Sequence, residues 1–182
     1  LEDVAKARGS QFKPFPPRHT WHTFDFSQRR QPEPAEVRRA IGRVAAGMLE
    51  PPIANLGVKG IRKAASATLE WPRLMSQDEL RQACLNAFLF IDATGGTGGG
   101  IFRYMYGRFL QEAAEIIGEG RLAEVGGEML AIGDRWQSVA RAFYAAHAAP
   151  DPAAGLAEAV APLPEIAEGE QAAWGRLLEI TG

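Results

Sequence analysis

The residues with the clearest capacity for chemistry stand together in "IDATGGTGGGIFRYMYGRFLQEA", Ile91 to Ala113. Five of the six residues from Gly95 to Gly100 are glycine, and Arg103, Tyr104 and Tyr106 follow directly. Backbone N–H groups freed by glycine, together with a guanidinium, make a site for a carboxylate or phosphate. The candidate substrate- or anion-binding residues are therefore Gly96, Gly98, Gly99, Gly100, Arg103, Tyr104 and Tyr106. A phosphate-binding P-loop is excluded. Gly95 and Gly100 have its spacing, but Ile101 and Phe102 stand where the lysine and the magnesium-binding hydroxyl belong. A dinucleotide fingerprint is excluded too, because the preceding segment is helical and no βαβ unit surrounds it.

A structural explanation competes with the anion site. Gly95 can end one helix in a left-handed conformation, and its neighbours can turn the chain without Cβ clashes. A two-helix corner nevertheless rarely needs five glycines, since each adds unfolded-state entropy. Arg103 lies near the start of the following helix, where the dipole disfavours a positive charge by roughly 0.3–1 kcal/mol. A bound anion would reverse that, and so would a buried carboxylate of the protein itself, such as Asp92 or Asp134. Arg108 falls on the polar side with Glu112 and Glu115, as a solvated ion-pair partner.

Other reactive residue types have ordinary explanations. Cys84 sits in an apolar stripe between Leu80 and Phe88, the setting of an inert buried thiol. His19, His22 and Asp25 have metal-ligating types, but the local pattern is extended and sends positions 19 and 22 to opposite faces. His147 falls in a last helical turn, where an imidazolium caps the dipole. Arg38, Arg39, Arg43, Lys59, Arg62 and Lys63 would form a basic strip if their two helices lie side by side, a surface suited to an acidic carrier protein. No catalytic residue, cofactor or metal is assigned.

These residues need a helical frame. Val37, Ile41, Val44 and Met48 form one apolar stripe, stopped by Pro51 and Pro52, and Val58, Ile61, Ala65 and Thr68 form a second. "SQDE" at Ser76 to Glu79 is a capping box for the helix carrying Leu80, Cys84, Ala87, Phe88 and Ile91. Phe102, Met105, Phe109, Ala113 and Ile116 make the stripe after the glycines. Leu122, Val125, Met129, Ile132, Trp136, Val139 and Phe143 alternate spacings of three and four, a seam along another helix. Before Pro34 the chain differs: residues 11–34 hold five of the twelve prolines, and His22, Phe24 and Phe26 alternate with polar residues as in a short strand or extended arm. The fold class is mostly α, a multi-helix bundle-like domain with an extended Pro/aromatic-rich N-terminal arm. Residues 1–34 are an interdomain helix and arm, 35–149 the helical core, and 150–182 a helical tail packed on it.

The formal net charge of -2 argues against a general nucleic-acid binder. One cysteine fits a reducing compartment, and no apolar run approaches the roughly 20 residues of a membrane span. A cytoplasmic location is expected. Leu1 is no initiator, and "LEDVAKARGS" reads as the interior of a longer protein.

"GVKGIRKAASATLEW", "GGTGGGIFRYMYGRFLQEA" and "IGDRW" at Ile132 to Trp136 resemble the helical C-terminal domain, of uncharacterised function, found in proteins similar to the butirosin-biosynthesis acyltransferase. "LEDVAKARGSQFKPFPP" resembles the join between that family's two domains. The resemblance spans roughly Leu1 to His147. It implies an upstream papain-like or peptidase-C39-like domain of the same protein that carries the cysteine nucleophile. It also implies an acyl carrier protein as donor and a small-molecule amine as acceptor. The chain would then be an accessory domain of a cysteine-dependent, amide-forming acyltransferase, helping to form the substrate cleft. The alternative is a non-catalytic helical module for homodimerisation or partner docking.

Overall fold

A computed structural model describes residues 2–11, 17–20, 22–27, 29–94 and 99–182. Among them the regular structure is helical, with no strand: α1 (Glu2–Arg8), α2 (Pro34–Leu49), α3 (Gly57–Leu69), α4 (Trp71–Leu74), α5 (Gln77–Ile91), α6 (Gly99–Ile117), α7 (Arg121–Ala148), α8 (Leu156–Val160) and α9 (Leu163–Thr181). The mostly α class read from the periodicities is what the chain adopts. Among the described residues no helix is long and apolar enough to cross a membrane.

The chain divides into two compact units, Leu1–Pro32 and Glu33–Gly182. In the first, α1 is followed by a return in which the His19 N–H donates to the Arg8 carbonyl at 2.8 Å. Residues 22–26 form no strand or bridge, so the short strand allowed by the alternation does not form. Phe24 and Phe26 point the same way and stack, with centroids 6.2 Å apart.

The second unit is organised around α7, a helix of 28 residues. Its seam residues Leu122, Val125, Met129, Ile132, Val139 and Phe143 are buried, against α5, α6, α8 and α9. The capping box is formed as read: the Ser76 hydroxyl accepts from the Glu79 N–H and the Glu79 carboxylate from the Ser76 N–H. The end of α7 is capped differently from expectation. Arg81 of α5 donates to the carbonyls of His147, Ala149 and Pro150 at 2.5, 2.7 and 3.2 Å, so a guanidinium from a neighbouring helix meets the negative end of the dipole. The His147 ring instead sets Nδ1 at 3.1 Å from the Arg81 carbonyl oxygen. The tail from residue 150 belongs to the same compact unit as 33–149, and its Ile166, Trp174 and Leu177 lie in the core.

The closest helix approach decides which face of α6 is buried. Gly118, with φ of +72°, ends α6, and the Glu119 N–H returns to the Ala114 carbonyl at 3.0 Å. The chain then runs back antiparallel as α7. Gly100, Gly107 and Ala114 on α6 and Gly126, Gly133 and Ala140 on α7 are all buried. Each set is spaced by seven, a period that returns to nearly one helix face. A Cβ at Gly107 would lie 2.7 Å from the Gly126 carbonyl oxygen, and one at Gly126 the same distance from that of Gly107. The stripe Phe102–Met105–Phe109–Ile116 expected in the core is therefore turned outward, and these four side chains are exposed. Only Ala113 of that stripe is buried. Likewise Val37 and Ile41 are core residues while Val44 is exposed and Met48 only half-buried.

This crossing makes two neighbouring glycines behave oppositely. Gly126→Ala should destabilise the protein by about 1–3 kcal/mol through overpacking. Gly127→Ala, where an added Cβ meets nothing within 4 Å, should stabilise it by up to about 1 kcal/mol. Urea unfolding of both variants checks this; equal effects would contradict the crossing.

Candidate functional site

The anion facing Arg103 is a carboxylate of the protein itself, Glu170 of α9. Arg103 Nε donates to Glu170 Oε1 and Nη2 to Oε2, both at 2.8 Å. Trp136 Nε1 of α7 donates to Oε1 at 2.9 Å and Trp174 Nε1 of α9 to Oε2 at 3.2 Å. The Glu170 side chain is 0% exposed and that of Arg103 19%. The guanidinium carbon also stands 5.8 Å from the centroid of the Trp136 ring. Four donors thus satisfy both oxygens of a buried carboxylate, the condition under which burying such a charge is tolerable. Of the two internal partners considered from the sequence, neither Asp92 nor Asp134 takes this role.

Asp92 and Asp134 are committed nearby. Asp92, at the end of α5, accepts from the Thr94 N–H at 2.8 Å and from the Gln137 amide, whose oxygen takes the Ala93 N–H at 3.0 Å. This clamp fixes the chain to α7 just before the glycines. Asp134 accepts from the Tyr104 hydroxyl at 2.6 Å. Desolvation first, and then the bond and charge of Asp134, push the Tyr104 phenol up to about 12. Gly133 leaves room for the Tyr104 ring, since a Cβ there would sit 2.9 Å from it.

Gly96 and Gly98 lie outside the described residues. Gly99 opens α6, and Gly100 packs so that an added Cβ would lie 3.2 Å from the Ile91 carbonyl oxygen and 3.4 Å from the Trp136 Cβ. The described part of the glycine corner, Arg103 and Tyr104 therefore join "IGDRW" in one interlocked set. Tyr106 adjoins it, lining the same groove as Arg103. Its ring packs on Trp174 and Phe109, with centroids at 5.0 and 5.6 Å. Its hydroxyl is buried with no hydrogen-bond partner among the described residues, and burial pushes its phenol up.

Beside this set lies an open groove of about 450 Å³ between α2 and α6, lined by Val44, Met48, Met105, Phe109, Met129 and Trp174 among others. Three of the four methionines of the chain line it. Exposure is 43% at Val44, 51% at Phe102, 57% at Met105 and 36% at Phe109. Methionines and half-exposed aromatics make the wall of this groove apolar and adaptable. Val44, Met48, Phe102, Met105, Phe109 and Met129 all fall on the apolar stripes of the sequence, but of these only Met129 is fully buried. The small-residue repeat at 100, 107 and 114 was the signal that α6 buries its other side.

The remaining candidates hold structure. Cys84 is buried, and desolvation raises its thiol pKa against a smaller opposing effect of Arg81. Among the described residues no three His, Cys, Asp or Glu side chains group as a metal site. Of the basic residues on α2 and α3, Lys59 pairs with Glu50 at 2.6 Å, Arg62 with Gln171 at 2.6 Å, Lys63 with Asn55 at 2.8 Å, and Arg38 with the Ile180 carbonyl at 2.6 Å, while Arg39 and Arg43 are exposed. Among the described residues Arg108 forms no ion pair with Glu112 or Glu115, contrary to expectation, and all three are exposed.

Removing Arg103 strands a buried carboxylate. Arg103→Met should cost about 3–5 kcal/mol in urea unfolding, and adding Glu170→Gln should recover at least about 1 kcal/mol, because a neutral amide oxygen still accepts from the tryptophans. Additive losses would contradict the pair. Tyr106→Phe removes an unsatisfied hydroxyl and should be neutral or stabilising by up to about 1 kcal/mol in the same assay.

A family model described as a domain of unknown function (DUF4872) matches residues 2–177. No curated protein and no solved structure matches the chain. With nearly its whole length inside that match, the chain belongs to the family of this domain of unknown function.

Proposed function

We propose that the chain is a non-catalytic accessory domain of a cysteine-dependent, acyltransferase-like enzyme, and that it contributes association through the apolar face of α2 and α6. The observation that carries the reading is where the reactive groups are spent. Arg103 is bound by Glu170, Cys84 is buried with its thiol pKa raised, and the His147 ring faces a backbone carbonyl. What the unit offers to solvent instead is an apolar groove. The resemblance of three sequence blocks to the helical C-terminal domain found in proteins similar to the butirosin-biosynthesis acyltransferase supports the enzyme class. In that reading the nucleophile belongs to a papain-like domain upstream, where an acyl carrier protein and an amine acceptor meet. A thiolate attacking a thioester carbonyl takes the acyl group and expels the carrier thiol, and the acceptor amine then displaces the enzyme thiolate.

The native gene product, captured with an antibody to this chain, should exceed the 19.7 kDa of these residues by a catalytic domain. Incubated with a simple acyl thioester, it should become acylated on a cysteine other than Cys84, and Cys84→Ala should leave that acylation unchanged. A mass equal to this chain, or acylation lost with Cys84→Ala, would overturn the proposal.

A further inference from the structure

The outward face of α6 has the composition of a self-complementary surface. Phe102, Met105, Phe109 and Ile116 recur at spacings of three, four and seven, which keeps them on one side of the helix. All four are exposed, Ile116 by 48%, and Val44 of α2 continues the patch across the groove. Half-exposed side chains of this size each offer on the order of 100 Å². Five of them give roughly 500 Å² per copy, and two such patches face to face reach the ~1,000 Å² that a specific interface requires.

The charges beside the stripe are arranged for the same purpose. At 100° per residue, Arg108 and Glu112 lie on one flank of the stripe, both exposed and neither in a salt bridge among the described residues. In an antiparallel pair related by a two-fold axis near Phe109 and Leu110, each flank faces the same flank of the other copy with its direction reversed. Phe102 then comes opposite Ile116 of the second copy, and Arg108 opposite Glu112, twice over by symmetry.

We infer that this face is a homodimer interface, in which the α6 helices of two copies pair antiparallel about Phe109, and Phe102 of each packs on Ile116 of the other. The inference rests on the association role proposed above and names its partner as a second copy of this chain. The unpaired charges fix the register, since a parallel or slipped pairing would leave Arg108 without Glu112.

Sedimentation velocity on the 182-residue chain tests this. The expected species at about 10 µM has twice the 19.7 kDa mass of the chain, and Phe109→Glu converts it to monomer with the helical circular dichroism retained. Arg108→Glu and Glu112→Arg, exposed changes that leave the core alone, should each weaken the dimer about ten-fold, and the two together should restore it to within about three-fold. A chain that stays monomeric at roughly 100 µM would overturn the inference, and uptake of the hydrophobic probe ANS by that monomer would assign the groove to a small apolar ligand. A dimer indifferent to Phe109→Glu, or unrestored by the double charge exchange, would overturn it as well. None of these results alters the mass of the native gene product, which tests the accessory-domain reading separately.

Discussion

A carboxylate with no exposure to solvent, Glu170, sets the terms for the helices around it. Taken out of water, it is tolerable only with donors on both oxygens. Those donors come from Arg103 on α6, Trp136 on α7 and Trp174 on α9. The consecutive helices α6 and α7 must therefore meet α9, from the end of the chain, at one point with hydrogen-bonding accuracy. The small-residue seam makes that possible by letting α6 and α7 approach until backbone meets backbone at Gly107 and Gly126. Charge satisfaction and close helix packing are one constraint seen from two sides.

That constraint also decides what is left for function. With its smallest face against α7, α6 must present its largest residues to solvent, beside the groove whose floor includes Met129 and Trp174. The cation that the glycine-rich block places in α6 is consumed inside the fold. The surface that results is apolar and bordered by the exposed Arg108 and Glu112, and the proposed association rests on it.

Much of the frame was legible in the sequence, because the seam of α7 and the capping box at Ser76 are local patterns with local causes. The orientation of α6 was not. Its large apolar residues and its small ones each recur at helical spacing, and periodicity alone does not say which set faces inward. The partner of Arg103 was hidden for another reason. The sequence marks a cation disfavoured by the dipole and allows an internal carboxylate, but Glu170 stands 67 residues away, in a tail that reads as peripheral. Its signal was a lone acid on the apolar face of α9, between Ala167 and Ala173, with Trp174 one turn on.

The claim that Arg103 serves the fold rather than a ligand can be tested at the atom concerned. The Nε–H resonance of Arg103, followed by ¹⁵N NMR while inorganic phosphate or acetate is added, reports directly on what the guanidinium binds. A proton protected from exchange, with a shift that stays fixed throughout the titration, is the result predicted by the bidentate pair with Glu170. A saturable shift with added anion would contradict it, and would return Arg103 and the glycine corner to the role of a ligand site.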